Sequence, residues 1–221
     1  MTTLWPIHAL RPQNVAFDIA PRTLAGPASV SGATQVVSSD AGIWKATFGN
    51  VIIRNRQHVL AFRALGVLLE GRLNPVLVPR CGDYQPVPSG GWVEGVPHSD
   101  GTPFSDASLY HGTAIGVVAA NAAPARAVSI DVTIANAGLI QAGQDFSVGE
   151  RMYRIKRADY SSPSSATLKF WPVLREAVPA GAVLNFDSPV CRMRLVDDNQ
   201  MDLELQLRRF GQPTVQFVED V

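Results

Sequence analysis

Val128-Ser129-Ile130-Asp131-Val132-Thr133-Ile134 places an apolar residue at every second position. A period of two sends alternate side chains to opposite faces of an extended chain, so this run reads as a half-buried strand. Phe146 with Val148, Met152 to Ile155, Leu168 to Trp171 and Val183 to Phe186 continue the pattern, and Gly138, Gly143, Gly149, Pro163 and Gly181 mark the corners. Five short strands with such corners predict a small β-barrel-like domain over residues 126–185, because closure removes exposed strand edges.

Toward the N-terminus the same period returns at Val15, Phe17 and Ile19, and again at Trp44, Ala46 and Phe48. Pro21, Gly26, Pro27 and Gly32 lie between these strands and read as turn punctuation. After Asn55 the period changes. Val59, Phe62, Leu65, Val67, Leu68 and Leu69 populate one broad face at helical spacing, Asn55 can cap the start, and Gly71 stands where a left-handed stop belongs. The opposite face holds Arg56, Arg63 and Glu70, so the segment predicts an amphipathic helix lying on a sheet through Val59, Phe62 and Leu69. Val76 to Val78 then form a short strand between Pro75 and Pro79.

The C-terminal residues alternate at Met193 and Leu195, at Leu203, Leu205 and Leu207, and at Val215 and Phe217, which predicts three strands. Such a segment cannot enclose a core alone, so it is expected to return to the N-terminal sheet. The expected architecture is mainly β: residues 1–80 plus 186–221 form a β-sandwich domain with one packed α-helix, and the barrel is inserted between them. Regional charge agrees, with 8 bases and 3 acids in residues 1–80 against 4 and 7 in residues 186–221.

Residues 81–125 form a Gly- and Pro-rich excursion without a period between Arg80 and Gly112. It carries Tyr84, Trp92, Phe104 and Tyr110, an aromatic set too costly to leave in water. Two destinations stand open, the excursion's own domain or a neighbouring protein. These four residues are the candidate interface.

Hydrophobic residues make up 46% of the 221 and charged residues 17%, so disorder and a highly charged solitary surface are poor readings. Equal numbers of bases and acids, 19 each, remove the electrostatic footprint of a dedicated nucleic-acid binder. Sixteen of the bases are Arg, which suits desolvated interfaces, although a GC-rich genome produces the same bias. Met1 to Leu10 does not read as a secretory signal, and no run approaches the eighteen apolar residues of a membrane span.

No cofactor, metal or catalytic group is expected from the motifs. GxSxG and GxxxxGK[ST] are both missing, and Cys81 and Cys191 lack the spacing of a zinc or dithiol site. His98, Asp100, Asp106 and His111 share one stretch without a ligand spacing, and Asp197, Asp198 and Asp202 read as solvated charges at a hairpin connection rather than an acid-base pair. Tyr153-Arg154-Ile155-Lys156-Arg157 interleaves aromatics and bases, but strand alternation accounts for it, with Ile155 inward and Arg154 and Lys156 outward.

Two longer stretches carry a family resemblance. Val59-Leu60-Ala61-Phe62-Arg63-Ala64-Leu65, running on through Glu70-Gly71-Arg72-Leu73-Asn74-Pro75-Val76-Leu77-Val78-Pro79, resembles the helix-to-strand unit of tail proteins from long-tailed bacteriophages. Phe146 to Ile155 followed by Ala166 to Gly181, with its P-x-L-R-x-A-x-x-x-G ending, is similar to a module of phage tail and baseplate proteins. The nearest class is the distal tail protein of siphophages. That resemblance implies a non-enzymatic virion component, a hexameric ring that joins the tail tube to baseplate, hub or fibres. It implies as partners further copies of the chain and other tail proteins, and as location the virion tail, assembled in the host cytoplasm. The inserted domain is too small for a full galectin-like carbohydrate module. Tail-tube, tail-terminator and hub proteins are the alternatives within the virion; a carbohydrate-binding sandwich or a small β-rich hydrolase stands outside it.

Overall fold

A computed structural model describes residues 2–80, 84–86, 102, 105–106, 115–207 and 209–221. It is mainly β with one α-helix and two sheets. The chain divides into two units, Met1–Cys81 with Val190–Val221, and Gly82–Pro189.

The first unit is built on a six-stranded sheet. Its strands are β1 (Thr3–Leu4), β2 (Asn14–Ala28), β3 (Thr34–Gly49), β4 (Val76–Pro79), β10 (Val190–Leu195) and β11 (Val215–Glu219), in the order β1-β4-β10-β11-β3-β2. The C-terminal strands therefore occupy the middle: β10 lies antiparallel to β4 with Cys191 opposite Val78, and β11 antiparallel to β3 with Phe217 opposite Ala46. Alternation dictates what is buried. Phe17, Trp44, Ala46, Phe48, Val76, Val78, Cys191, Met193, Leu195, Val215 and Phe217 are all buried. Trp5 joins them after β1, edge-on to Phe48 at 5.5 Å and to Phe217 at 5.3 Å between ring centroids.

Helix α1 spans Arg56–Leu69. Its Asn55 cap accepts a hydrogen bond from the His58 backbone N–H at 2.8 Å, satisfying a donor that has no partner within the helix. Phe62, Leu65 and Leu69 are buried and Val59 is half-buried, but Val67 and Leu68 face solvent, so the apolar face is narrower than the sequence suggests. The helix ends with Glu70 and Gly71 both left-handed, at φ 48° and 65°. Gly71 has a second constraint, since a Cβ there would lie 2.7 Å from Asp198 Oδ1.

Two expectations for this unit are corrected. Pro21, Gly26 and Pro27 do not separate strands; they lie inside β2, at register shifts between Ala20 and Arg22 and between Ala25 and Ala28. Because β2 is an edge strand, bulges there absorb prolines that have no ladder N–H to donate. Likewise Leu203, Leu205 and Leu207 form no strand. Leu203 and Leu205 fold over Gly211, where a Cβ would meet their side chains at 3.1 and 3.4 Å, and Leu207 is left-handed and exposed in a turn closed by Gln206 and Phe210.

The second unit holds a five-stranded curled sheet, ordered β5-β6-β9-β8-β7. Its strands are β5 (Gly116–Ala119), β6 (Ser129–Asn136), β7 (Asp145–Val148), β8 (Arg151–Ser162) and β9 (Ser165–Trp171). Strand β5 falls within the stretch read as an excursion. Val183 to Phe186 is not a full strand but a tie between the two edges: Val183 bridges Val118 of β5, and Asn185 bridges Ser147 of β7. The curl encloses Val117, Val132, Phe146, Tyr153, Leu168, Phe170, Leu184 and Phe186. Ile155 is buried while Lys156 is exposed, with its ammonium 5.6 Å from the Trp171 ring centroid.

Candidate functional site

Three surface features of the first unit stand out, and the first is an arm. Beyond the buried pairs at its base, the β2–β3 hairpin continues through Arg22–Ala28 and Thr34–Ser39 with almost every residue exposed on both faces. Leu24 is 75% exposed, and Val30, Val36 and Val37 are also open to solvent. No charged residue occurs from Thr23 to Ser39. The tip is a tight turn in which Ser29 N–H donates to Ala33 O at 2.8 Å and Gly32 takes a left-handed φ of 79°. Seven residues of β2, at about 3.4 Å each, carry this ribbon roughly 24 Å beyond its base. A two-stranded ribbon is marginal in water by itself, and an uncharged one with exposed valines is poorly defended against association.

The second feature is a groove of about 520 Å³ at the start of α1, lined by Arg54, Asn55, Arg56, Val59, Leu60, Arg63 and Arg209. Arg56 and Arg63 lie two helical turns apart on one face, whereas Arg54 and Arg209 are brought in by the Ile53–Gly211 bridge, with N···O distances of 3.0 and 3.1 Å. None of the four guanidinium groups has an acidic partner among the described residues.

The third is a polar groove of about 890 Å³ whose lining includes Asp197, Asp198, Asp202 and Glu204 with Asn50 and Gln200. Asp198, next to the short 3-10 helix it begins (Asp198–Met201), accepts from both the backbone N–H and Nε of Arg72 at 3.1 Å. Those bonds hold its carboxyl below the usual carboxylate range. Asp197, Asp202 and Glu204 have no such partner among the described residues. A smaller depression of about 140 Å³, lined by Ile53, Arg54, Gln206, Phe210 and Gly211, shares residues with both the acidic and the basic groove.

Elsewhere in this unit, acids and bases pair closely. Asp220 accepts from Arg192 Nε at 2.8 Å and from Arg194 Nε at 2.6 Å. Burial pushes its carboxyl up, but the hydrogen bonds from Arg194 and Arg192 outweigh this and leave it below its ordinary value. A depressed folded-state value means stability that is present above the unfolded value of about 3.9 and is lost as pH falls through the folded one. The urea midpoint of the first unit should therefore hold between pH 7 and 5 and fall below about pH 4. Asp220→Asn should start lower at pH 7 and decline less steeply; parallel curves for variant and parent would contradict the assignment.

Of the sequence-predicted interface residues, Tyr84 is 92% exposed, left-handed at φ 67°, and its carbonyl accepts from Gln144 Nε2 at 3.1 Å. Trp92, Phe104 and Tyr110 lie outside the described residues, as do His98, Asp100, His111 and Cys81. Cys191 is buried, with its Sγ 3.9 Å from the Arg192 carbonyl oxygen. Among the described residues no cluster of His, Cys, Asp and Glu is arranged to hold a metal ion, and no helix is long and apolar enough to cross a membrane. Sequence reading missed the arm, whose signal was the uncharged run between two alternating strands. It also saw Arg56 and Arg63 without the two arginines that complete their groove.

Compared with known proteins, the chain matches no family model, and no curated protein matches its sequence.

Proposed function

We propose that this chain is a structural, non-enzymatic protein of a long-tailed bacteriophage virion, forming a ring at the tail tip that joins the tail tube to baseplate, hub or fibres. The arm carries the reading. An uncharged two-stranded ribbon with Leu24, Val30, Val36 and Val37 exposed gains stability by lying on a neighbouring subunit, and an arm reaching from each copy to the next is a heterologous contact that closes into a ring under cyclic symmetry. The mainly β architecture and the resemblance of the α1–β4 and β7–β9 stretches to tail proteins support the same class.

Antibody labelling of intact particles from the phage or prophage that encodes the chain tests the location. Label at the tail tip is the expected result; particles without the chain, or with it only in the head, overturn the reading. Replacing Thr23 to Ser39 by an Asn-Gly turn should leave both units folded and prevent ring closure, as read by light scattering. Unchanged ring mass after that replacement would remove the arm from the argument.

A further inference from the structure

We infer that the arginine groove and the carboxylate groove form a second self-association surface, on which two copies of this chain dock about a two-fold axis, each groove receiving the opposite groove of its partner. The inference rests on the self-assembly part of the reading above, but it concerns an interface separate from the arm.

Charge complementarity within one surface carries it. Arg54, Arg56, Arg63 and Arg209 line one groove, and Asp197, Asp202 and Glu204 line the other. All seven are exposed and lack ion-pair partners among the described residues, while Arg72, Arg192 and Arg194 of the same unit are paired. Apart from Arg72, which lines the carboxylate groove and is paired there with Asp198, each groove carries one sign. Like charges gathered in one groove repel one another, and an oppositely charged surface relieves that repulsion in both grooves at once.

The side-by-side placement selects the occupant. Arg54 lines both the arginine groove and the depression beside it, and Gln206 and Gly211 line both that depression and the carboxylate groove. The two grooves therefore adjoin through shared lining residues. A copy rotated by a two-fold axis through the depression sets plus over minus and minus over plus, the self-complementarity an isologous contact requires. Half-exposed Leu60 and Phe210, at 50% and 46%, supply apolar area beside the charges. Rim charges steer and orient more than they bind, so this apolar area is needed for affinity.

Sedimentation velocity of the full chain tests the inference. In about 0.1 M salt it should show dimers, or even-numbered multiples where the arm also assembles. These should come apart toward 1 M, as the screening length falls from about 10 to about 3 Å. The double variants Arg54→Glu with Arg63→Glu, and Asp197→Lys with Glu204→Lys, should each weaken this association about a hundredfold or more while melting like the parent. Mixing the two variants should restore it, since each then offers the other complementary charge in both grooves. The arm-shortened chain should still form the salt-sensitive dimer, so loss of ring closure alone speaks against the arm and not against this surface. A wild-type chain that stays monomeric at both salt concentrations overturns the inference. So do double variants that associate like wild type, a mixture that fails to recover, or a monomeric chain whose arginine groove binds duplex DNA instead.

Discussion

Trp5→Ala should lower the unfolding free energy of the first unit by about 4–6 kcal/mol, the largest loss expected from any single substitution here. Trp5 is fully buried, packs edge-on against Phe48 and Phe217, and donates from Nε1 to the Leu10 carbonyl at 3.0 Å. Truncation opens a cavity beside two aromatic rings and strips a buried carbonyl of its donor. Trp5→Phe separates the two contributions, since it keeps most of the apolar contact and should cost only about 1–3 kcal/mol for the unpaired carbonyl and imperfect fit. Urea titration followed by a probe in the first unit reads both. A loss under 1 kcal/mol for the alanine variant would mean that this cluster does not anchor the sheet. Against total stabilities of about 5–15 kcal/mol, the alanine variant brings its unit close to unfolding.

Arg154→Ala should destabilise the second unit by about 2–4 kcal/mol. Arg154 and Asp145 are cross-strand neighbours on β8 and β7, and the guanidinium meets the carboxylate with both forks, Nε to Oδ1 at 2.7 Å and Nη2 to Oδ2 at 3.1 Å. The Asp145 side chain is 1% exposed and that of Arg154 27%, so the carboxylate bears most of the desolvation. Removing the arginine leaves that charge short of its strongest partner, whereas Asp145→Leu combined with Arg154→Met removes both charges and should recover part of the loss. A double-mutant cycle isolates the coupling, expected at about 1.5 kcal/mol or more. Additive single effects would show that the pair contributes no mutual stabilisation.

Strand and helix identity were legible where one period persisted over a segment. Val15 and Phe17, Trp44 to Phe48, Ile130 to Ile134 and Val215 to Phe217 alternate because one face of each is buried, and a burial pattern is written locally, whereas Val128, just before β6, is exposed. The helix limits were legible for the same reason. Asn55 supplies a cap through its own side chain, and the left-handed stop at Glu70 and Gly71 depends on backbone angles close by in sequence.

Legibility failed where a partner distant in sequence made the decision. Leu203, Leu205 and Leu207 alternate as well as any strand here, but among the described residues they belong to no strand, and two of them close over Gly211 instead. Pro21 and Pro27 signal turns in isolation, but on the outermost strand of a sheet a bulge accommodates each.

From its residues alone, then, the protein was determined to be mainly β with one capped helix, because hydrophobic period, cap chemistry and backbone preference act over a few residues. Tertiary structure decided which strands lie in the middle of the first sheet and that the second sheet is tied edge to edge through Val183 and Asn185. It also decided that the hairpin continues into an exposed arm and that Arg54 and Arg209 share a groove with Arg56 and Arg63. Except for the arm, whose strands are neighbours in sequence, those outcomes rest on backbone hydrogen bonds joining residues far apart in the chain, whose pairing no local pattern specifies.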